Sequence, residues 1–202
     1  MVAPVSARLR TPSTDVASAI LGAASMLLEQ EGPDALSVRR IATEAGVAPM
    51  GVYNHFQSKA GVIDALFRQG FAVLDSELEA VHRIADPEQA LRTGLAIYRR
   101  LALTTPATYR LMLLRAVPSF VPSIESQLVA EGAFDQLVRA VDRMVDVGLF
   151  SPGDHREIAQ RIWAACHGWI SLEMFGIGFT GDPAAGYNDL VDLLVSGLRA
   201  RP

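Results

Sequence analysis

The sequence predicts an all-α protein of about nine helices, and three features of its 202 residues carry this reading. Apolar residues recur every three or four positions almost without a break, the spacing that gathers them on one face of a helix. No segment alternates apolar and polar residues over a useful length, as a half-buried strand would. Cap and proline signals punctuate the pattern at intervals suited to helices.

The elements follow in order. Ala17, Ile20, Leu21, Ala24, Leu27 and Leu28 form the first stripe, with Ser13 or Thr14 able to cap it and Gly32-Pro33 ending it. Ser37 opens a short segment with Val38, Ile41, Ala42 and Ala45 inward, closed by Gly46. Pro49, suited to a first helical position, opens a second short segment. Ser58 caps a long helix carrying Ile63, Leu66, Phe67, Gly70, Leu74, Leu78 and Val81. Asp86-Pro87-Glu88-Gln89 supplies a cap, a proline and a glutamine able to bond back, and Thr105-Pro106 repeats the cap-proline pair. Val117–Pro122 (VPSFVP) breaks the pattern and predicts a loop. Phe134, Leu137, Val138, Val141, Met144, Val145 and Gly148 form a regular stripe, followed by the turn Ser151-Pro152-Gly153. From Asp154 to about Gly176 the helix is apolar nearly all round, which predicts burial on more than one side. Asp182-Pro183 starts the last helix, with Leu190, Leu194 and Leu198.

Half the residues are hydrophobic, enough for a sizeable core and incompatible with a disordered tail protein. No apolar run reaches the ~18 residues of a membrane span. MVAPVSARLRTPST at the N-terminus has no signal-peptide core, so a cytoplasmic protein without membrane partners is expected. The single cysteine, Cys166, excludes an intramolecular disulfide and a cysteine zinc site. The net charge of −4 is unevenly spread. Residues 1–60 hold five basic and five acidic residues, and the acidic excess lies wholly in 61–202. An electroneutral first quarter on an acidic remainder suggests two functional parts.

Segments 38–45 and 49–55 are about two turns each, too short to be stable alone. Joined by Gly46-Val47-Ala48 and flanked by longer amphipathic helices, they have the helix-turn-helix layout, whose second helix enters the DNA major groove. Val52 and Phe56, four apart, face the core with Val47, leaving Pro49, Met50, Tyr53 and Asn54 outside. Asn suits an adenine edge, and Tyr suits a phosphate or a thymine methyl. Arg39, Arg40, His55 and Lys59 surround this face and make it locally positive. The same pattern also fits a plain helical hairpin of an all-α protein.

Leu36–Phe67, LSVRRIATEAGVAPMGVYNHFQSKAGVIDALF, resembles the DNA-binding domain of the TetR family of transcriptional regulators. Ile41-Ala42, Gly46-Val47, Gly51, Tyr53, His55, Phe56, Lys59 and Ile63 carry the likeness. Ala48 departs from it, standing where the family usually has a capping Ser or Thr, a loss of ~1 kcal/mol. Arg40 stands where a capping box would want Glu. The resemblance places Ser37, Arg39, Tyr53, His55 and Lys59 on phosphate-contacting positions, and Pro49, Met50, Gly51 and Asn54 near bases. For His55 the competing role is a half-buried structural histidine.

The resemblance also implies that the rest of the chain binds a small molecule and forms a homodimer. It divides the chain into a DNA-binding unit at 13–60, with the start of the connecting helix, and a ligand-binding and dimerisation unit at 61–202. Trp163–Gly176 (WAACHGWISLEMFG) further resembles the C-terminal subgroup named for its Trp-His-Gly motif, with the tryptophan displaced and Cys166 before His167-Gly168. His167 and Ser171 share a helix face and suit a mutual hydrogen bond.

Tyr98, Tyr109, Met112, Arg115, Phe120, Phe134, Met144, Trp163 and Trp169 are bulky candidates for pocket walls, with His167 beside them; core packing is the competing role for each. Arg115 interrupts LMLLRAV and suits either a ligand carboxylate or an acidic surface neighbour. Small residues Ala164, Ala165, Gly168 and Ser171 allow close approach, so the last two helices predict a four-helix dimer interface.

The expectation is a homodimeric repressor, released from a palindromic double-stranded operator by a largely apolar effector. The alternative is an all-α enzyme or helical interaction protein that binds no DNA. No nucleophile–base pair or phosphate loop is legible, and the four histidines lack ligand spacing on one helix, so no enzyme activity, metal or other cofactor is expected.

Overall fold

The computed structural model describes residues 13–179 and 181–200; residues 1–12, on which the signal-peptide reading rests, and the side chains of the expected caps Ser13 and Thr14 lie outside the described residues. Within them the chain forms nine α-helices and no strand. They are α1 (Ser13–Glu31), α2 (Val38–Glu44), α3 (Pro49–Phe56), α4 (Lys59–Val81) and α5 (Pro87–Thr104), then α6 (Pro106–Leu113), α7 (Ile124–Asp146), α8 (His155–Phe175) and α9 (Pro183–Leu198). A single 3₁₀ turn, Pro33–Ala35, lies between α1 and α2.

Side-chain caps start most of these helices. Ser37 accepts the main-chain N–H of Arg40, Ser58 that of Gly61, and Ser123 that of Ser126. Asp86, Asp154 and Asp182 each accept two N–H groups in the first turn of α5, α8 and α9. Two expected details differ. Gln89 does not bond back; its N–H donates to Asp86 at 3.3 Å. Thr105 does not cap α6, because its hydroxyl donates to the Leu101 carbonyl at 2.9 Å. The cap of α6 comes instead from α1. Glu29 accepts the N–H groups of Ala107 at 3.0 Å and Thr108 at 2.8 Å. This meets orphan donors and places a negative charge at the positive end of the helix.

Two apolar cores result. The first joins Ile20, Ala24 and Leu28 of α1 to Ile41 of α2, Val52 of α3 and Val62, Ile63 and Leu66 of α4. The second lies among α4 to α9, with Phe71, Leu95, Tyr109, Val141, Ile162 and Tyr187 at its centre. Two helices serve both. On α4, Leu66 belongs to the first core and Phe67 to the second; on α6, Leu111 belongs to the first and Met112 to the second. Phe120, in the expected Val117–Pro122 loop, packs against both.

α4 and α7 run side by side in the same direction. Asp64 accepts from the main chain and hydroxyl of Ser123, Asp75 accepts from Gln136, and the His82 carbonyl accepts from Arg143. Burial opposes ionisation of Asp64, but hydrogen bonds from Ser123 and Ser126 hold its carboxyl below the usual range.

Candidate functional site

The turn between α2 and α3 depends on Gly46. Its φ of 66° lies in the left-handed region that side chains disfavour. Its N–H meets the Thr43 carbonyl, and that of Val47 meets the Ala42 carbonyl at 2.9 Å. α3 then starts at Pro49 behind Ala48, which makes no side-chain cap bond. This orientation buries Val52 completely and leaves Met50 64% and Tyr53 48% exposed. Pro49 and Asn54 are exposed beside them, and Gly51 and His55 are half-buried. Ser37, Arg39 and Lys59 are also exposed. Arg40 is different: its guanidinium pairs with Glu31 at the end of α1, which draws its charge away from this face.

The joint behind α3 is tight. Gln57 takes a φ of 63°, and Ser58 caps α4 through Gly61. A Cβ on Gly61 would lie 1.9 Å from the Phe56 carbonyl oxygen, so only glycine permits this approach. α4 leaves the joint with Lys59 as its first residue and continues into the second core.

There, a cavity of about 310 Å³ opens among α4, α5, α6, α7 and α8. Of the expected pocket residues, Tyr98, Met112, Phe134 and Trp163 line it, together with Phe67, Phe71, Leu74, Leu78, Leu91, Leu95 and Leu137. Tyr109 and His167 are not among the lining residues but join the lining Tyr98 through hydrogen bonds. Trp163 Nε1–H donates to the Tyr98 hydroxyl at 2.9 Å, and the hydroxyls of Tyr98 and Tyr109 are 2.8 Å apart. Tyr109 lies 2.8 Å from His167 Nδ1. Because Trp163 only donates, the Tyr98 hydroxyl accepts from it; the Tyr98 and Tyr109 hydroxyls and His167 Nδ1 share the remaining hydrogen bonds, with each pair within 3.2 Å. Burial lowers the His167 pKa and so favours the neutral imidazole. Burial pushes the Tyr98 phenol up to about 12 and raises that of Tyr109 further.

Five expectations are corrected. Trp169 is not among the lining residues; its Nε1–H donates to the Pro183 carbonyl at 3.2 Å. Arg115 is exposed and outside the cavity; α6 ends at Leu113, and Arg115 has a φ of 50° in the loop beyond, so LMLLRAV is not one helix. Met144 is fully buried in the core and is not among the residues that line this cavity. Phe120 stands against Phe67, ring centroids 5.6 Å apart, rather than in the lining. Ser171 donates to the His167 main-chain carbonyl at 2.7 Å, not to the ring, whose Nδ1 serves Tyr109.

Other residues at the cavity were not foreseen. His82 and Gln136 supply polar groups, and Cys166 lines the wall with its thiol pKa raised by burial. The signal for Gln136 was its place between Ala133 and Ala140, on the small-residue edge of the α7 stripe.

Comparison with known proteins adds the following. The model for bacterial regulatory proteins of the tetR family matches residues 20–66. The model for the tetracyclin repressor-like C-terminal domain matches residues 91–198, with no assignment to the Trp-His-Gly subgroup. The HTH-type transcriptional regulator EthR of Mycolicibacterium smegmatis is 33% identical over 105 residues, 50% of this chain and 48% of that one. The match therefore spans about half the length of that relative. An HTH-type transcriptional regulator of Mycobacterium tuberculosis is 25% identical over 90% of this chain and 81% of its own. A solved protein of unknown function from Rhodococcus sp. RHA1 shares the fold with a TM-score of 0.82, at 25% identity, over 92% of this chain and 96% of that one.

Proposed function

The chain belongs to the TetR family of transcriptional regulators, and from that premise we propose a homodimeric repressor that leaves its operator when a small apolar molecule enters the cavity. Its DNA-binding unit is residues 13–60 with the start of α4; residues 61–202 hold the effector and the partner. Arg39, Tyr53, His55, Lys59 and the Ser37 cap meet phosphates, while Pro49, Met50, Gly51 and Asn54 approach bases. The relatives are regulators, not enzymes, and no catalytic role is assigned. Among the described residues no helix is long and apolar enough to cross a membrane; the reading needs the compartment that holds the DNA, the cytoplasm.

One observation carries the repressor reading: Glu29 of the helix-turn-helix core caps α6, the helix whose Met112 lines the cavity. A ligand against Met112 favours one position of α6, and the Glu29 bonds pass that preference to α1 and the recognition helix α3. The ligand acts only to the extent that it prefers the conformer with wrongly spaced recognition helices.

Dimerisation is assigned to α8 and α9. Leu172, Phe175 and Leu193 are 48%, 57% and 71% exposed. Ala164 and Gly168 are exposed on α8, leaving room for close approach. Sedimentation of the full chain tests this: a dimer is expected, and Leu193→Arg with Phe175→Arg shifts it to monomer. Operator release is tested by adding cavity-binding compounds to a protein–DNA complex. Compounds that raise the melting temperature but leave DNA affinity unchanged would contradict effector control.

A further inference from the structure

Resting on the effector reading of the cavity, we infer that its ligand is an elongated, uncharged molecule with one hydrogen-bond-donating group, which docks on His82. Shape gives the first part. The lining follows α4 from Phe67 to Val81, about 21 Å at 1.5 Å per residue. An alkyl-like body fits walls made of leucine, alanine and aromatic rings.

Charge gives the second part. No Lys, Arg, Asp or Glu is among the lining residues. An ionised ligand would lose its water without gaining a partner of opposite charge. The Asp75 carboxylate stands directly behind Gln136 and disfavours an anion there.

The polar atom follows from proton bookkeeping. Asp75 only accepts, so the Gln136 atom 2.6 Å from it is the amide nitrogen, and Gln136 Oε1 faces His82. Oε1 lies 2.7 Å from His82 Nε2, so Nε2 carries the proton. In the neutral imidazole His82 Nδ1 is then an acceptor, and among the described residues it has no hydrogen-bond partner. The Tyr98 hydroxyl, also in the lining, is already engaged by Trp163, Tyr109 and His167. The ligand group that completes this arrangement is a hydroxyl or an amide N–H.

The test uses the full chain, with isothermal titration and melting temperature, and three probes built on an eight-carbon chain: 1-octanol, its methyl ether and octanoate. The ether accepts but cannot donate. In wild type the alcohol binds tightest, the ether about 2- to 10-fold weaker for one lost hydrogen bond, and octanoate weakest. His82→Leu brings the alcohol and ether together. Octanoate binding as tightly as octanol, or an alcohol-to-ether ratio of one in wild type, overturns the inference while leaving the cavity a ligand site. If none of the three binds, the effector reading falls and this inference with it. The wild-type order stands without any variant, so misfolding of His82→Leu leaves the test intact.

Discussion

Glu29 Oε1 on α1 accepts the main-chain N–H of Thr108 on α6 at 2.8 Å, seventy-nine positions along the chain. The contact ties α1 of the helix-turn-helix core to the start of α6, whose Met112 lines the cavity.

Removing it should separate binding from response. Glu29→Ala leaves two N–H groups at the α6 terminus without their carboxylate, a loss of about 0.5–2 kcal/mol by analogy with other caps. Ligand affinity should be nearly unchanged, while the ligand's effect on operator affinity shrinks. Paired titrations of ligand and operator measure both; an undiminished effect would remove Glu29 from the coupling route.

Gly61 should be intolerant of even one methyl. The Cβ of Gly61→Ala would sit 1.9 Å from the Phe56 carbonyl, so the α3–α4 joint must open and re-aim α3. DNA affinity should fall severely. Gly132→Ala on α7 is the control: nothing lies within 4 Å of its added Cβ, and stability should rise by about 0.5–1 kcal/mol. Full DNA binding by Gly61→Ala would show that the joint does not set the angle of α3.

The helix-turn-helix face divides into holding and reading residues. Lys59→Ala and Arg39→Ala should each flatten the slope of log affinity against log salt by about 0.9. Asn54→Ala should relax preference at one base pair by about 1–3 kcal/mol without lowering the melting temperature. Val52→Ala should lower the melting temperature, removing two methyl groups from a fully buried site at about 0.8 kcal/mol each plus a cavity term.

His167 gives stability a pH dependence of known sign. Its folded pKa is depressed, so the unfolded chain takes up this proton first as pH falls. Its contribution is therefore complete above the unfolded value of about 6.5 and declines as pH drops below it. His167→Gln keeps an acceptor for Tyr109 but cannot titrate. Urea unfolding at pH 7.5, 6 and 5 should show a smaller decline for the variant; an identical decline would mean that His167 titrates normally.

The helices were legible because their signals are local. Caps such as Ser37, Asp86 and Asp154 stand one residue before the turns they serve, and the stripe spacing needs no partner to be read. The exposed face of α3 was legible for the same reason: once Val52 points inward, Met50, Tyr53 and Asn54 cannot. What escaped was set by distant residues. Nothing next to Thr105 reveals that Glu29 caps α6, and nothing near His82 reveals Gln136, fifty-four positions away. Arg115 misled because an unbroken apolar run hides the end of a helix. The helix stops at Leu113, inside that run, and the chain passes into the loop that carries Phe120.

Sequence-specific DNA binding by the dimer tests the account most directly. Duplexes from a randomised pool are selected on the full chain, and the affinity of the enriched duplex is measured across a salt series. The expected product is a pseudo-palindrome with half-sites separated by about one or more helical turns, roughly 10 base pairs each, and log affinity that falls linearly with log salt. A selected pool no different from the starting pool, or affinity indifferent to salt, would contradict it.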